Sequence, residues 1–457
     1  MIYIIIHFIK NKIVIQKKEK SFYLKNKRNK YLKVLILAAG IGSRLSPITE
    51  TTAKPMINIA GKPALEWVIN NLKQSKADIS DIIIVVGYKK NQIIDYFGTG
   101  FDFGVKISYI EQKEPKVENA ILAAKDLLKD EESFLIVHAD IFSDPEMISR
   151  CIQTHKDTNS DATISVTLVD NPHLYGVATI DSDAKITRLV EKPKEIESNY
   201  AVSGVYLFDS GIFEILENTR ILDQAIQEII NNGGNVYASV WEKEWVEITY
   251  PWDILKANRF ILSRGLFKDG SYVDNSTKIS SIAKVEGPVY IGKNVLIRPG
   301  AVVQGPCIIQ DDSIIGTNAL VREYSTIGKN VVVGFGDEIK NSIIFDNTSI
   351  GRLSYIGDSV IGKNVEFGAG AQTWNITHKN IPIKMKIKEK EIVIPRRKFG
   401  AIIGDNAFIG INVSIFPGKL IGCNSIISAG ANVEENVDSN ILMKVNHRVI
   451  YKKLKNE

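Results

Sequence analysis

Residues Val34–Met56 read VLILAAGIGSRLSPITETTAKPM, and this stretch decides how the first half of the chain folds. Its apolar start, Val34–Leu37, predicts a buried parallel strand. The strand runs into AAGIG at positions 38–42, where alanine and glycine let a backbone come close to a ligand. By itself a GxG turn is also compatible with an ordinary strand-to-helix loop. The spacing fits neither GxGxxG nor GxxxxGK[ST], so neither a dinucleotide fingerprint nor a Walker loop is indicated.

The residues around this turn favour a phosphate-binding loop. Backbone N–H groups at Gly40 and Gly42 can face phosphate oxygens, and Ser43 and Arg44 add a hydroxyl group and a permanent positive charge. Lys54 brings a second cation ten residues after Arg44. Transfer at a nucleotide phosphate needs charge neutralised on oxygens that are held in line, and this combination of groups suits that chemistry.

The same stretch resembles the signature of the sugar-1-phosphate nucleotidylyltransferases, which is LAAGxGSRL, a spacer and then KPM. The resemblance continues through INIAGKPALEWVI at 57–69 and IIIVVGYKKNQIIDYFG at 82–98. It implies an enzyme that makes an NDP-sugar and pyrophosphate from an NTP and a sugar 1-phosphate. UTP and GlcNAc-1-phosphate are the expected pair. Thymidylyl transfer to glucose-1-phosphate is one alternative, and a non-catalytic scaffold or nucleotide sensor is another.

Alternating strand and helix patterns follow the signature, and they predict a mostly parallel sheet covered on both faces. The predicted elements are strands at 57–59, 82–86, 105–110 and 134–137 and helices at 63–73 and through 93–97. The expected fold class is α/β, with a Rossmann-like nucleotidyltransferase domain followed by a left-handed parallel β-helix. The expected limits are 1–32 for a basic, disordered extension, 33–262 for the first domain, 263–271 for a linker, 272–441 for the β-helix and 442–457 for a tail.

The β-helix is predicted from an aliphatic residue at every sixth position, which indicates a repeat architecture. One frame runs without interruption from Val273 to Phe345, and after an insertion it resumes at Ile361 and Phe367, and again from Ile403 to Val433. The pattern resembles hexapeptide repeats, in which three units close one triangular coil. Flat sides of such a prism bury well against copies of themselves, so a homotrimer or a dimer of trimers is expected.

Composition sets bounds on partners and location. Residues 1–33 hold nine lysines and Arg28 against Glu19, so the net charge of +5 belongs to this segment and no nucleic-acid partner is inferred. The apolar run at 1–9 is shorter than the roughly 20 residues that span a bilayer, and membrane contact is not expected. Three widely separated cysteines form no CxxC pair, which predicts a reducing, cytoplasmic location without a disulfide framework or a zinc site.

A carboxylate follows the predicted strand at 134–137. Asp140 stands where it can reach a Mg²⁺ ion bridging phosphates, although an Asp at a strand end is also an ordinary turn residue. The resemblance implies a second metal carboxylate in the segment 245–253, at Glu247, with Asp253 in reserve. The family commonly has W-x-D-x-G there, so Glu247 departs from the pattern.

The resemblance also implies the remaining site residues of the first domain. Catalysis is assigned to Arg44, Lys54 and Lys192. Nucleotide binding is assigned to Leu37, Ala38, Ala39, Gly40, Gly42, Ser43 and Gln112. Sugar-phosphate binding is assigned to Gly176, Glu191 and Lys192, from the YGV and EKP elements. Two departures affect selectivity: Lys116-Val117 replaces the usual Gly-Thr pair, and Val202-Ser203-Gly204 replaces Asn-Ala-Gly.

The second domain resembles the acetyltransferase half of bifunctional enzymes, archaeal ones included, that acetylate glucosamine-1-phosphate. That resemblance implies acetyl-CoA as a further cofactor and Tyr355, Asn375, Lys398 and Ala401 as residues around acetyl-CoA and its acceptor. The family's general base is a His immediately before Leu353, and this chain has Arg352 there. Arginine does not give up its proton near neutral pH, so Arg352 predicts no acetyl transfer. A substitute role for His378 stays open.

Overall fold

The computed structural model describes residues 31–114, 116–264, 267, 270–446 and 451. The basic extension up to residue 30 and most of the tail therefore lie outside the described residues. The chain groups into two compact units: residues up to Gly40 with Val68–Trp245, and Ile41–Trp67 with residues from Val246 onward. The segment Ile41–Trp67, which the sequence assigns to the first domain, thus groups with the β-helix. Within the described part no helix has the length and apolar character needed to cross a membrane.

The first unit is built on one sheet, flanked by helices. Its strands are β1 Leu32–Leu37, β2 Ile79–Val86, β3 Lys106–Glu111, β4 Ser133–His138, β5 Ala162–Leu168, β6 Gly176–Ile180, β7 Ile186–Glu191, β8 Tyr200–Asp209 and β9 Val236–Trp241. Its helices are α1 Ala64–Gln74, which begins in the other unit, α2 Lys90–Phe97, α3 Val117–Ala123, α4 Glu146–Thr158, α5 Ile212–Thr219 and α6 Leu222–Asn231, with a short turn of helix at Lys125–Leu128.

The sheet order is β7-β6-β8-β4-β1-β2-β3, with β5 pairing both β8 and β9. Strands β4, β1, β2 and β3 are parallel, which confirms the pattern predicted for the N-terminal part. Strand β8 runs antiparallel to β4, β5 and β6, so the sheet as a whole is mixed. The prediction of a mostly parallel sheet is therefore wrong for the complete sheet. Strand β1 lies in the middle of the sheet, with Val34, Leu35 and Ile36 fully buried.

The second unit contains a helix, α7 Pro251–Arg264, and a parallel β-helix of three sheets. The first sheet holds 272–273, 289–291, 307–309, 326–327, 343–344, 360–361, 401–403 and 419–421. The second sheet holds 278–279, 296–297, 314–315, 332–333, 349–350, 366–367, 408–409, 426–427 and 442–443. The third sheet holds 284–286, 302–304, 320–321, 338–340, 355–357, 372–373, 414–415 and 432–433.

Short elements complete the second unit. They are 3-10 turns at Ser43–Leu45, Lys54–Met56 and His378–Asn380, a helical turn at Ile48–Thr51, two-residue strands at Asn58–Ile59, Lys62–Pro63 and Val246–Glu247, and a hairpin of Lys384–Ile387 with Lys390–Val393. A further two-residue strand, Ile141–Phe142, belongs to the first unit.

The six-residue frame is confirmed for the core, with one correction. Inward aliphatics from Ile291 to Ile339 are buried in one cluster, but the next inward residue is Ile344, paired with Ile327, rather than Phe345. The coil between them is one residue shorter than the frame predicts. Coils continue without an insertion through Ile350 and Ile356, and the real insertion lies between Thr373 and Ala401.

Asparagine residues occupy one corner of the triangular prism in successive coils of the β-helix. Asn330, Asn364, Asn406 and Asn424 adopt positive φ, which asparagine tolerates better than most residues. Their amides bond from coil to coil: Asn364 Nδ2 donates to Asn406 Oδ1 at 2.9 Å, and Asn406 Nδ2 donates to Asn424 Oδ1 at 3.0 Å. This ladder satisfies exposed amides and fixes the register of successive coils.

Candidate active site

The signature turn depends on Gly42. This residue has φ +67°, and a Cβ there would lie 3.0 Å from Lys54 Cβ and 3.1 Å from Thr49 Cγ2. The Thr49 hydroxyl donates to the carbonyl of Gly42 at 2.9 Å. Backbone conformation and close approach therefore both require glycine, and the turn packs directly on the residue that carries the second predicted cation.

The ends of three neighbouring strands meet at Gly87. A Cβ at this position would lie 3.0 Å from Ala39 O and 3.1 Å from Gln112 O. Ala38 N donates to Val85 O at 2.9 Å. The structure thus brings together two nucleotide-binding candidates from different strands, Ala39 and Gln112. The candidates Leu37, Ala38, Gly40, Gly42 and Ser43 follow one another along the same strand end and turn.

Gln112 is buried, and its side chain holds the loop that follows β3. Its Nε2 donates to Lys116 O at 2.6 Å and also to Glu114 O. Lys116, where the family has glycine, therefore takes part through its carbonyl oxygen, an atom that every residue type supplies. This departure from the family pattern leaves the loop anchored.

Arg44 lies on an aromatic platform. Its guanidinium carbon is 5.4 Å from the centre of the Tyr250 ring. Tyr250 stacks in turn on Trp252, with ring centres 4.7 Å apart and planes 15° apart. The platform limits the orientations of a long, exposed side chain, because a cation is attracted to the face of an aromatic ring. The signal for Tyr250 in the sequence is weak, because an isolated aromatic is usually a packing residue.

Asp253, the reserve metal ligand, lies in the first turn of α7. Its Oδ2 accepts backbone hydrogen bonds from Tyr250 at 2.7 Å and Thr249 at 3.1 Å. Burial raises the pKa of Asp253 to about 6, against the opposing effects of these bonds and of the positive charges of Lys256 and Lys54. The Asp253 carboxylate therefore holds the backbone at the start of α7 through two hydrogen bonds. It also interacts electrostatically with the positive charge of Lys54. Glu247 ends a two-residue strand and is half-buried.

Asp140 follows the end of strand β4, next to the end of strand β1. His138 pairs with Leu37 at the ends of parallel strands β4 and β1, and Ala139 N donates to Leu37 O at 3.2 Å. Asp140 is 8% exposed. One ligand atom of His138 and one of Asp140 lie within 4.8 Å of each other. The donor set includes a hard carboxylate oxygen and fits a divalent cation. Sequence reasoning did not single out His138, because an isolated His at a strand end is more often structural.

The YGV element at the start of β6 faces the EKP element at the end of β7. Gly176 pairs with Glu191, and a Cβ on Gly176 would lie 2.9 Å from Glu191 Oε2. Lys192 N donates to Tyr175 O at 2.9 Å, and its Nζ lies 2.7 Å from Glu191 Oε1. The three predicted sugar-phosphate residues are therefore adjacent. Lys192 is half-exposed, which leaves its ammonium group accessible to a ligand.

A chain of contacts runs from these elements to His138. The Tyr175 ring meets Trp245 edge-on at 5.6 Å, and Trp245 Nε1 donates to Ser203 O at 3.0 Å. The next residue, Gly204, has φ +82°, and a Cβ there would lie 3.1 Å from His138 Cγ. The glycine of the altered Val-Ser-Gly element is therefore required by its conformation.

In the β-helix, two of the candidates for acetyl-CoA and acceptor binding, Tyr355 and Asn375, share a polar network. Asn375 Nδ2 donates to Tyr355 Oη at 2.9 Å and to Asp358 Oδ2 at 2.6 Å. Asp358 is buried and also pairs with Lys340 Nζ at 3.0 Å. Ala401 is buried, and its backbone N–H donates to the hydroxyl of Ser359 at 3.0 Å.

A cavity of about 560 Å³ opens beside Asp358. Its lining is Arg259, Glu323, Tyr324, Lys340, Asn341, Asp358, Arg396, Arg397 and Lys398. Five of these side chains are cationic and two are carboxylates. Arg259 lies over the Tyr324 ring, 4.1 Å from its centre, and burial lowers the pKa of Arg396. Such a lining favours an anionic ligand. Of the acceptor candidates, Lys398 is the one that lines it.

Comparison with known proteins agrees with this geometry. A family model described as Nucleotidyl transferase matches residues 33–264, and one described as GMPPB C-terminal domain matches 303–399. A protein described as Bifunctional protein GlmU from Methanocaldococcus jannaschii is 35% identical over 429 residues, which cover 92% of this chain and 99% of that protein.

The chain belongs to the nucleotidyl transferase family.

Two further members of this family extend the comparison. Bifunctional protein GlmU from Methanococcus maripaludis is 37% identical over 430 residues, covering 92% of this chain and 99% of that protein. A bifunctional sugar-1-phosphate nucleotidylyltransferase/acetyltransferase from Sulfurisphaera tokodaii is 34% identical over 422 residues, covering 91% and 100%. The predicted family, enzyme class and fold class, with a left-handed β-helix after the nucleotidyl transferase domain, are thus confirmed.

Proposed function

We propose that this protein transfers a nucleotidyl group from UTP to GlcNAc-1-phosphate and releases pyrophosphate. The observation that carries the proposal is the signature turn, in which Gly42 packs on Lys54 and the Arg44 guanidinium lies over Tyr250. Two ordered cations next to a turn of backbone amides suit a triphosphate. The similarity to a bifunctional sugar-1-phosphate nucleotidylyltransferase/acetyltransferase supports transfer to a sugar 1-phosphate. Thymidylyl transfer to glucose-1-phosphate is the alternative substrate pair.

In the proposed reaction a phosphate oxygen of the sugar 1-phosphate attacks the α-phosphorus of UTP in line, and pyrophosphate leaves. Arg44, Lys54 and the amides of the glycine turn stabilise the negative charge on the transferring and leaving phosphates. Lys192 holds the phosphate of the sugar, so that the attacking oxygen is already oriented. No covalent enzyme intermediate is needed.

Asp140 and Glu247 are the proposed residues for Mg²⁺, with Asp253 in reserve. When bound, the ion neutralises charge on the phosphate oxygens. The buried Asp140 carboxylate, which follows the end of strand β4, supports this assignment. Because Asp253 Oδ2 already accepts two backbone bonds, Glu247 is the better second candidate.

The test is pyrophosphate release with Mg²⁺ across UTP, dTTP, CTP and GTP, each with glucose-, GlcNAc- and glucosamine-1-phosphate. We expect release with UTP and GlcNAc-1-phosphate, and a loss of at least about 100-fold in Lys54→Ala, because one charge on the transferring phosphate is removed. The matched control is Lys329→Ala, an exposed lysine of the β-helix. Silence across the panel in well-folded protein would favour a scaffold or sensor.

A second candidate activity is acetylation of glucosamine-1-phosphate by the β-helix, and the cationic cavity beside Asp358 favours it. Lys398 and the Tyr355–Asn375 pair would then contact acetyl-CoA or the acceptor. Arg352 in place of the expected His opposes it, because no general base stands at that position. The test is thiol release from acetyl-CoA in the presence of glucosamine-1-phosphate. Release would show that the β-helix is also an acetyltransferase, and we expect no release.

We further propose that the protein is a cytoplasmic homotrimer. Three widely separated cysteines, all buried in the structure, agree with a reducing compartment. Exposed apolar residues on one β-helix sheet, Phe408, Ile426 and Leu442, support self-association.

A further inference from the structure

We infer that His138 supplies a nitrogen ligand beside Asp140, so that the metal site of this chain takes a first-row transition ion such as Mn²⁺ in addition to Mg²⁺. The inference rests on the proposed function, because Asp140 is the carboxylate assigned there to the metal. It adds a residue and a ligand chemistry that the sequence did not indicate.

The two side chains are placed by the sheet. His138 is the last residue of β4, and Asp140 follows two positions later at the edge of the sheet where β1 also ends. One potential ligand atom of each lies within 4.8 Å of the other. That separation is compatible with two ligands on one ion, since metal–ligand bonds of about 2.0–2.2 Å keep cis ligands well inside it.

Strand β8 fixes the position of the imidazole ring. Gly204 has φ +82°, and a Cβ there would lie 3.1 Å from His138 Cγ and 3.2 Å from Nδ1. The Tyr206 ring lies 5.8 Å from the His138 ring, centre to centre. The absence of a side chain at 204 makes the space that the ring occupies. A ring held in this way meets a metal ion without losing much further conformational freedom.

The donor type determines which ion is favoured. Mg²⁺ prefers oxygen ligands and gives up water reluctantly, whereas first-row divalent ions accept an imidazole nitrogen more readily, Mn²⁺ with the lowest affinity among them. A site that adds an imidazole to its carboxylates therefore binds Mn²⁺ more strongly, relative to Mg²⁺, than a site made of carboxylates alone. Asp140 supplies the charge, and His138 supplies the selectivity.

The test uses full-length protein without nucleotide and Mn²⁺ as the probe. Pulsed electron paramagnetic resonance of the bound ion detects directly coordinated ¹⁴N. We expect a ¹⁴N coupling in the wild type, its loss in His138→Gln, and Mn²⁺ affinity at least about 10-fold weaker in that variant. Asp140→Asn should also weaken Mn²⁺ binding. The control His173→Gln, whose exposed ring bonds Pro193 O, should keep the coupling.

Either of two results overturns the inference: a wild-type protein that binds Mn²⁺ without ¹⁴N coupling or does not bind it, or a coupling that persists in His138→Gln. If that variant misfolds by circular dichroism, His138→Asn makes the same comparison. Pyrophosphate release with Mg²⁺ is measured separately. Wild-type release without ¹⁴N coupling rejects only the role of His138, whereas ¹⁴N coupling without release rejects only the transferase.

Discussion

At the scale of single residues, Tyr250 is predicted to position Arg44. Tyr250→Leu removes the ring that lies under the guanidinium group, and Tyr250→Phe keeps it. Because a cation–π contact contributes about 0.5–2 kcal/mol, we expect kcat/KM for pyrophosphate release to fall about 3- to 30-fold in the leucine variant. The phenylalanine variant should stay within about 2-fold of the wild type. Equal losses in both would show that the ring face does not act on Arg44.

The hydroxyl group of Ser203 is predicted to lower the free energy of unfolding of the protein. Its hydroxyl oxygen is fully buried and has no hydrogen-bond partner among the described residues, where the family has alanine. A buried polar group without a partner costs about 1–3 kcal/mol, so Ser203→Ala should raise the free energy of unfolding by about 1 kcal/mol. Urea denaturation measures the change. Ser75→Ala is the matched control and should lower the value, because the Ser75 hydroxyl donates to Leu72 O at 2.6 Å.

At the scale of elements, Asp337 is predicted to make the β-helix less stable as pH rises. It accepts backbone bonds from Gly334 and Ser354, and burial raises its pKa from 3.8 to about 7. Its folded-state pKa is higher than its unfolded value, so the folded state binds the proton more tightly. The stabilising contribution is complete below about pH 4 and is lost as pH rises to about 7.

Chemical denaturation between pH 4 and 8 tests this prediction with Asp337→Asn. The free energy of unfolding of the wild type should fall relative to that of the variant across this range, by a few kcal/mol at most. Asp346→Asn serves as the control, since Asp346 also accepts a backbone N–H, from Lys329 at 2.8 Å. A wild-type profile parallel to that of Asp337→Asn would contradict the assignment.

The elements also show which features a sequence makes predictable. Strand β1, its glycine turn and the six-residue frame were predicted, because each depends on local pattern. The shift from Phe345 to Ile344 was missed, since a coil shortened by one residue keeps an aliphatic at both positions. The antiparallel β8 was missed because strand direction depends on distant pairing. His138 was missed because the space for its ring is made by Gly204, 66 residues away.

At the scale of the whole chain, hydrogen bonds between residues far apart in the sequence join the signature segment Ile41–Trp67 to the β-helix. Gln310 Nε2 donates to Gly61 O at 3.0 Å across 249 positions. Asn258 is buried, and its Oδ1 accepts from Ala60 N at 2.9 Å and from the Thr326 hydroxyl at 2.8 Å. The segment that carries Arg44 and Lys54 is thus anchored to the β-helix. Substitutions in these coils are therefore able to act on nucleotidyl transfer, even if the β-helix has no chemistry of its own.

Assembly is predicted from the second β-helix sheet. Phe408, Ile426 and Leu442 point outward on successive coils, and each is 44–51% exposed. An exposed apolar ladder of this kind marks an interaction site, and the flat side of a prism suits a symmetric trimer.

Light scattering after size-exclusion chromatography should give about three times the chain mass of 50.9 kDa. Ile426→Glu should yield the monomer mass, because a carboxylate buried without a partner costs several kcal/mol. Leu168→Glu, at the exposed last residue of β5, should leave the trimer intact, and a trimer that survives Ile426→Glu would place the interface elsewhere.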